Sequence, residues 1–98
     1  MAVKLAILAL LEARPDKCAD LAAFLERGRA IAVAEQGTVS WYAFKIDETH
    51  YGIFDTFESE DARNTHITGQ IPAGLAAVAS ELLATDPDIR LVDIVAVK

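Results

Sequence analysis

The sequence has only one cysteine, and this scarcity limits how the chain can be stabilised. Cys18 has no second cysteine with which to form an internal disulfide. A disulfide-rich secreted scaffold is therefore excluded, and stability must come from a packed core. Cys18 falls in the first turn of a predicted helix, where we interpret it as a small, unreactive side chain.

Positive charge is also scarce. Lysine and arginine together number 9 against 15 aspartates and glutamates, for a formal net charge of −6, and no basic run occurs. Proteins that bind nucleic acid need clustered cations to displace counterions from phosphates. We therefore expect no nucleic-acid partner. The two histidines, the cysteine and the scattered carboxylates form no cluster with metal-ligand spacing, so no metal site is predicted.

Long hydrophobic runs are missing as well. No segment approaches the roughly 18 to 20 apolar residues that a membrane-spanning helix needs. The start MAVKLAILALLEAR resembles a short signal peptide, but Glu12 and Arg14 follow the apolar run at once, without a small-residue cleavage site. We interpret this stretch as a strand that the sheet requires. We expect a cytoplasmic protein with no membrane partner.

Apolar residues, by contrast, are abundant. They make up 53% of the chain, and the mean hydropathy is +0.28. In the predicted first strand, Val3–Ala13, and in the predicted hairpin TVSWYAFKIDETHYGIFDTF, they occupy both faces. A sheet with one solvated face should instead alternate apolar with polar residues. Something must therefore cover the second face of these strands.

The first half of the chain carries clear start and stop signals. Pro15 and Asp16 favour a helix start, and apolar residues then recur at helical spacing. Gly37 is predicted to end this helix as the residue that follows its C-cap. The hairpin that comes next is predicted to turn through residues 47–50.

The second half of the chain also carries start and stop signals, and it contains one additional short helix. Ser59 favours the start of a short helix that Gly69 stops, and Pro72 is predicted to open the last helix. The fourth strand is predicted over Ile89–Val97. Residues 1–98 thus form a single α+β domain with a ferredoxin-like β-α-β-β-α-β order and a four-stranded antiparallel sheet. Two helices cover only one side of such a sheet, so we expect the other side to be buried in a homodimer.

Three segments resemble the antibiotic biosynthesis monooxygenase superfamily: GTVSWYAFKID, YGIFDTFESEDARNTH and the terminal VDIVAVK. The most telling feature is a strand that ends in an aromatic residue, Phe57, followed by a short acidic helix start and by His66. The resemblance implies pairing as a dimeric α+β barrel. It also implies a pocket between the helices and the covered sheet face, where phenolic or quinol-type substrates are oxidised by O2 without a cofactor.

Two positions depart from that family. Phe57 stands where the family often has tryptophan, and no second histidine follows His66 in the stretch HITGQIP. The family also includes haem-degrading relatives, and these two departures argue against haem handling. We therefore expect no cofactor.

Two residues are predicted to be catalytic. His66 lies near the end of the short helix, where its pKa near neutrality would let it take a phenolic proton. The alternative is a surface or capping histidine bonded to a backbone carbonyl. Asp55 is a carboxylate on an otherwise apolar strand face, and it could act as a base or orient His66 or Arg63. The alternative for Asp55 is a structural ion pair.

Four residues are predicted to bind the substrate. Trp41, Tyr51 and Phe57 could stack on a flat aromatic ligand, although aromatic residues at strand spacing also build cores and interfaces. Arg63 could pair with Asp55 or with an acidic substrate. Our leading interpretation is a homodimeric, cofactor-independent monooxygenase that uses O2 on a small phenolic or quinol-type compound. The alternative is a non-catalytic ligand-binding or stress-related dimer that uses the same pocket.

Overall fold

Strands and helices follow one another in the predicted order. The structure is a computed structural model that describes residues 3–98. Its elements are β1 (Leu5–Glu12), α1 (Cys18–Ala34), β2 (Ser40–Lys45), β3 (His50–Phe57), α2 (Glu60–Ile67), α3 (Gln70–Leu82) and β4 (Asp88–Asp93). This is the β-α-β-β-α-β order, with α2 as the short helix before the last long one. Across residues 3–98, no helix has both the length and the apolar character needed to cross a membrane.

The four strands form one antiparallel sheet in the order β2-β3-β1-β4. The two central strands pair along their whole length, from Leu5 opposite Phe57 to Glu12 opposite His50. The ferredoxin-like α+β architecture predicted from the sequence is therefore confirmed. The helices cover one face of the central strands β1 and β3, so the apolar residues on their second face need a separate explanation.

Several predicted boundaries are wrong. Strand β1 spans Leu5–Glu12 rather than Val3–Ala13. The fourth strand spans Asp88–Asp93 rather than Ile89–Val97, and just beyond it the backbone N–H of Ile94 still donates to the Lys4 carbonyl at 2.8 Å. Helix α1 ends at Ala34, and no residue from 3 to 98 has a positive φ, so Gly37 is not a left-handed cap. Gly37 serves close packing instead, since a Cβ there would lie 2.9 Å from the Cβ of Ala62 in α2.

The short helix begins where the sequence predicts. The Ser59 hydroxyl accepts a hydrogen bond of 3.1 Å from the backbone N–H of Ala62 and so caps α2. After α2, Gly69 is the N-cap of α3 and its N–H donates to the His66 carbonyl at 2.9 Å. Pro72 lies in the first turn of α3 rather than at its first residue, and there its missing N–H costs no helical hydrogen bond.

The core lies between the helices and one face of the sheet. Strand residues Ala9, Leu11, Tyr51 and Ile53 pack against helix residues Leu21, Leu25, Leu75 and Leu82, and all eight are buried. A fully buried large apolar side chain contributes about 1.5 to 3 kcal/mol relative to an exposed one. This face, which we call the helix-facing side of the sheet, is therefore where a buried polar group needs a specific partner.

The opposite face of the sheet, here called the open face, carries Leu8, Leu10, Tyr42, Phe44 and Phe54. Tyr42 is 61% exposed, and the other four are only partly buried. Gly52 leaves room for the Phe44 ring, because a Cβ there would lie within 2.6 Å of Phe44 Cε1. The apolar residues that broke the alternation in the sequence are therefore gathered on one uncovered surface.

We predict that the open face is buried in a homodimer. Sedimentation at micromolar concentration should give about twice the 10.6 kDa chain mass. Phe54→Asp should dissociate or unfold the protein, because it would place an unpaired charge in the interface. Val33→Asp is the matched control, since Val33 lies on α1 and is 70% exposed. A wild-type monomer under these conditions would contradict the prediction.

Candidate functional site

A cavity of about 260 Å³ lies between α2, α3 and the helix-facing side of the sheet. We call it the His66 cavity. Its described lining is Ile7, Ala9, Ile53, Asp55, His66, Ile67, Ile71, Pro72, Leu75 and Ile89. Only Asp55 and His66 among these carry polar side chains. The two residues predicted to be catalytic therefore meet in one largely apolar cavity.

His66 lies in the last turn of α2 with 5% of its surface exposed. Its Nε2 is 2.9 Å from Asp55 Oδ2, and its Nδ1 is 2.6 Å from Glu35 Oε1. A neutral imidazole has one N–H and one bare nitrogen, whereas an imidazolium donates from both. Because both partners are carboxylates, the doubly protonated ring is the form that satisfies this arrangement.

The two carboxylates also shift the pKa of His66. Burial lowers the pKa of the imidazole, but the hydrogen bonds to Asp55 and then to Glu35 raise it more, with the charges of both carboxylates adding to the effect. The net result is a pKa above the ordinary value of 6.5. The raised pKa favours the charged imidazolium, and the buried ring bonded to two carboxylates is not the surface or capping histidine of the alternative interpretation.

Asp55 supplies the carboxylate on the floor of the cavity. It is 1% exposed and lies in β3, opposite Ile7 of β1 and Trp41 of β2. Oδ2 accepts from His66, while Oδ1 is buried and has no hydrogen-bond partner among residues 3–98. Such an oxygen is costly to leave unpaired. It is therefore the polar atom of the site that is available to a ligand.

Glu35 is the member of the site that the sequence interpretation missed. It follows the end of α1, where its backbone N–H donates to the Ala32 carbonyl at 3.1 Å. Its Oε1 also accepts from the Thr38 hydroxyl at 2.8 Å, and its side chain is 22% exposed. A usable signal was Gly37, which permits the close approach to α2 that brings Glu35 beside His66.

The predicted substrate-binding residue Phe57 packs against the imidazole of His66. It is completely buried, and its ring centroid is 5.4 Å from that of His66 at an interplanar angle of 47°. It does not belong to the described lining of the cavity. Phe57 therefore fixes one side of the His66 ring, and its contact with any substrate is indirect.

Trp41 and Tyr51 lie elsewhere, in a larger groove of about 610 Å³ between α1 and β2. We call it the Trp41 groove. Tyr42 and Phe44 also line it, together with the cationic side chains of Arg29 and Lys45. The indole packs against Gly28, where a Cβ would lie 3.3 Å from Trp41 Cη2. Trp41 is thus the cross-strand neighbour of Asp55, yet neither Trp41 nor Tyr51 belongs to the described lining of the His66 cavity.

Arg63 hydrogen-bonds to the backbone of the sheet. Its terminal Nη1 donates to the carbonyl oxygens of Ala6, at 3.4 Å, and Val92, at 3.3 Å. These contacts connect α2 to β1 and β4. Of the two partners that the sequence suggested for Asp55, the structure pairs it with His66 and not with Arg63. Within residues 3–98, no three side chains converge as metal ligands, since Glu35 and Asp55 lie at opposite nitrogens of the ring.

We predict that His66 makes the fold less stable as the pH rises above neutrality. Its folded pKa is raised, so its stabilising contribution is complete below the unfolded value of about 6.5 and is lost as the pH passes the folded value. Urea unfolding from about pH 6 to about pH 10 should show a shrinking difference between wild type and His66→Gln. Both chains should carry His50→Gln, since the pKa of His50 is also raised by its hydrogen bond to Asp47. A constant difference would contradict the prediction.

No protein-family model matches the chain, and no curated protein matches it. Among solved structures, it is similar to NE2512, a protein of unknown function from Nitrosomonas europaea. The two share 43% sequence identity with a TM-score of 0.95, over 98% of this chain and 93% of that one.

Two more distant structures share the fold. A "putative antibiotic biosynthesis monooxygenase" from Caulobacter crescentus is 21% identical over 96% of this chain and 92% of that one, with a TM-score of 0.80. A protein of the same description from Nitrosomonas europaea is 8% identical over 94% and 90%, with a TM-score of 0.83. This chain therefore belongs to the same family as NE2512, and it shares its fold with the two proteins described as putative antibiotic biosynthesis monooxygenases.

Proposed function

We propose that this protein is a cofactor-independent monooxygenase that acts on a small phenolic or quinol-type aromatic compound in the His66 cavity. One observation carries the proposal: Asp55 lines a cavity in which every other lining residue except His66 is apolar, and its Oδ1 is buried without a partner from the described chain. A hydroxyl group on a flat apolar ring matches both features. The hydroxyl would donate to Oδ1, and the ring would fill the aliphatic space.

The size of the cavity favours a small ligand. Its volume of about 260 Å³ falls just below the range of about 300 to 1,000 Å³ that is common for ligand pockets. A compound of one or two rings is therefore a better match than a macrocycle. His66 also offers no free nitrogen to a haem iron, because both ring nitrogens contact carboxylates. Haem handling is accordingly not our proposal.

The chemistry begins with proton transfer from the substrate hydroxyl to Asp55 Oδ1. The sequence suggested His66 as the base, but its two nitrogens are occupied, so in our proposal Asp55 accepts the proton. The imidazolium, 2.9 Å from Oδ2, then offsets the negative charge that develops on the substrate oxygen. Aliphatic walls keep water out, and this strengthens the electrostatic interaction.

The electron-rich anion would then react with O2 at a ring carbon. A C–O bond forms, protonation of the distal oxygen gives a hydroperoxide, and loss of water leaves a new carbonyl group. One oxygen atom enters the product and the other leaves as water. The substrate supplies all four electrons, as it is oxidised from a phenol to a quinone, or from a quinol to a hydroxyquinone. Protons balance, since the one taken by Asp55 returns to the peroxide.

A second candidate function is ligand binding without turnover. The Trp41 groove favours it, because its aromatic walls suit a flat ring, and its charged lining residues are two cations, Arg29 and Lys45, and one carboxylate, Glu26. In this case the ligand would lie away from Asp55. Binding would then be lost on Trp41→Ala and unaffected by Asp55→Asn.

The oxygenase proposal predicts a large effect of Asp55→Asn on turnover. With dihydroxynaphthalene-type quinols and O2, kcat should fall about 100-fold or more, as losses of a general base do. Asp93→Asn is the matched control, because that carboxylate is exposed on β4 and outside the cavity. Oxygen uptake measured with ¹⁸O2 should place one labelled atom in the product and one in water.

Three results would count against the proposal. Quinol consumption that releases hydrogen peroxide and leaves the product unlabelled would indicate simple autoxidation. Tight binding of quinols without oxygen uptake would favour the binding protein. If Asp55→Asn destabilises the fold while turnover per folded molecule is unchanged, then Asp55 is a structural partner of His66.

A further inference from the structure

We infer that Glu35 is a positioning residue that holds His66 in its doubly protonated form, so that His66 binds Asp55 Oδ2 and leaves Asp55 Oδ1 for the substrate. The inference rests on the proposed function, because it gives Glu35 a part in the chemistry of the His66 cavity. Glu35 itself does not line that cavity and therefore acts through the imidazole.

The Glu35 carboxylate is itself held in place. Its Oε1 lies 2.6 Å from His66 Nδ1 and 2.8 Å from the Thr38 hydroxyl, which donates to it. Charge-assisted N–H···O contacts between a protonated ring and a carboxylate are typically about 2.7 to 2.9 Å long. The Glu35 contact is slightly shorter than that range, and the 2.9 Å contact of Nε2 with Asp55 lies at its upper end. Because the two contacts are made by the two different ring nitrogens, together they fix the plane of the imidazole.

The proton count follows from the presence of two carboxylates. If His66 faced Asp55 alone, a neutral ring with its N–H on Nε2 would satisfy the contact and leave Nδ1 bare. A bare Nδ1 against Glu35 would set a lone pair against a carboxylate oxygen, which is repulsive. Glu35 therefore disfavours the neutral ring. A glutamine at the same place could donate its amide N–H to Nδ1, and it would tolerate that neutral form.

Glu35 also changes the charge of the site. Asp55 and His66 alone would form a neutral ion pair, in which the imidazolium is fully matched by one carboxylate. With Glu35 present, two carboxylates share one cation. Asp55 thus keeps part of its negative charge, at the oxygen that has no partner from the described chain. This is the charge that a base needs toward the substrate hydroxyl.

Other charged groups do not replace Glu35. The α3, β1 and β4 residues that line the cavity are Ile71, Pro72, Leu75, Ile7, Ala9 and Ile89, none of which titrates. Arg63, on the same helix as His66, directs its Nη1 to the Ala6 and Val92 carbonyls. On the described residues, the protonation of His66 is therefore set by Asp55 from β3 and by Glu35 from the turn after α1.

The test is Glu35→Gln, with Glu58→Gln as the matched control on the exposed surface. NMR titration of the His66 ring needs no substrate, and it should show the pKa falling by about one unit or more in Glu35→Gln and not in the control. In turnover assays, kcat of Glu35→Gln should be reduced at about pH 8 and recover toward about pH 6, since protonating His66 restores the active form. The wild type should lack this loss over the same interval.

The two readouts separate the possible failures. An unchanged His66 titration in Glu35→Gln would overturn the inference whatever the activity. A lowered His66 pKa with an unaltered pH profile would overturn the positioning role. A lowered pKa in a protein that oxidises no quinol would leave the protonation argument intact and refute the proposed function. If Glu35→Gln does not fold, Glu35→Asp keeps the charge but withdraws it from Nδ1, and the same titration decides the matter.

Discussion

The site depends on a buried cation held between two carboxylates. His66 and Asp55 are 5% and 1% exposed, at a depth where an unpaired ion carries an effective penalty of several kcal/mol. The contacts of 2.6 and 2.9 Å offset that penalty for the imidazolium and for one oxygen of Asp55. Removing one partner of a buried pair typically costs about 3 to 5 kcal/mol, more than one large side chain gains from full burial. The arrangement therefore constrains every element that contributes to it.

Three separate elements contribute, and each has a local reason for its position. The Ser59 cap fixes where α2 begins, and this places His66 in its last turn. Strand alternation places Asp55 on the helix-facing side. The missing side chain of Gly37 lets the turn after α1 reach Ala62, so that Glu35 comes beside the ring. A larger residue at position 37 would push the turn after α1 away from Ala62 of α2 and so move Glu35 away from His66.

The sequence indicated how side chains alternate between the two sides of the sheet, but it gave little information about how far across the sheet a residue lies from the cavity. Period-two alternation set Asp55 on an otherwise apolar strand face, because a strand residue has only two directions available, and the structure places Trp41, Tyr51 and Phe57 on that same side. Alternation does not tell how far across the sheet a residue lies from a cavity. Trp41 is on the edge strand β2 and faces α1, so it reaches the groove rather than the His66 cavity.

Glu35 was missed for a different reason. It is separated from His66 by 31 positions and lies in a turn, where neither helical nor strand periodicity assigns a direction to its side chain. Asp55 and His66 were accessible because each violates a local expectation: a carboxylate in an apolar strand, and a titratable ring at a helix end. A glutamate that follows a helix violates no such local expectation, so the sequence pattern does not mark it as a site residue. Only the approach of two distant segments gives it a role.

The register of β3 connects the cavity to the open face. Asp55 and Ile53 point to the helices, while Phe54 and Gly52 point the other way, because adjacent residues alternate. A slip of one residue would turn Asp55 away from His66 and, with it, Ile53 and Phe57 out of the core. The eight pairs from Leu5–Phe57 to Glu12–His50 oppose such a slip. A partner packed on Phe54 would add a further restraint from the other side. The surface predicted for dimerisation and the carboxylate proposed as a base are thus fixed by one and the same pairing, and any change that loosens this register should disturb both.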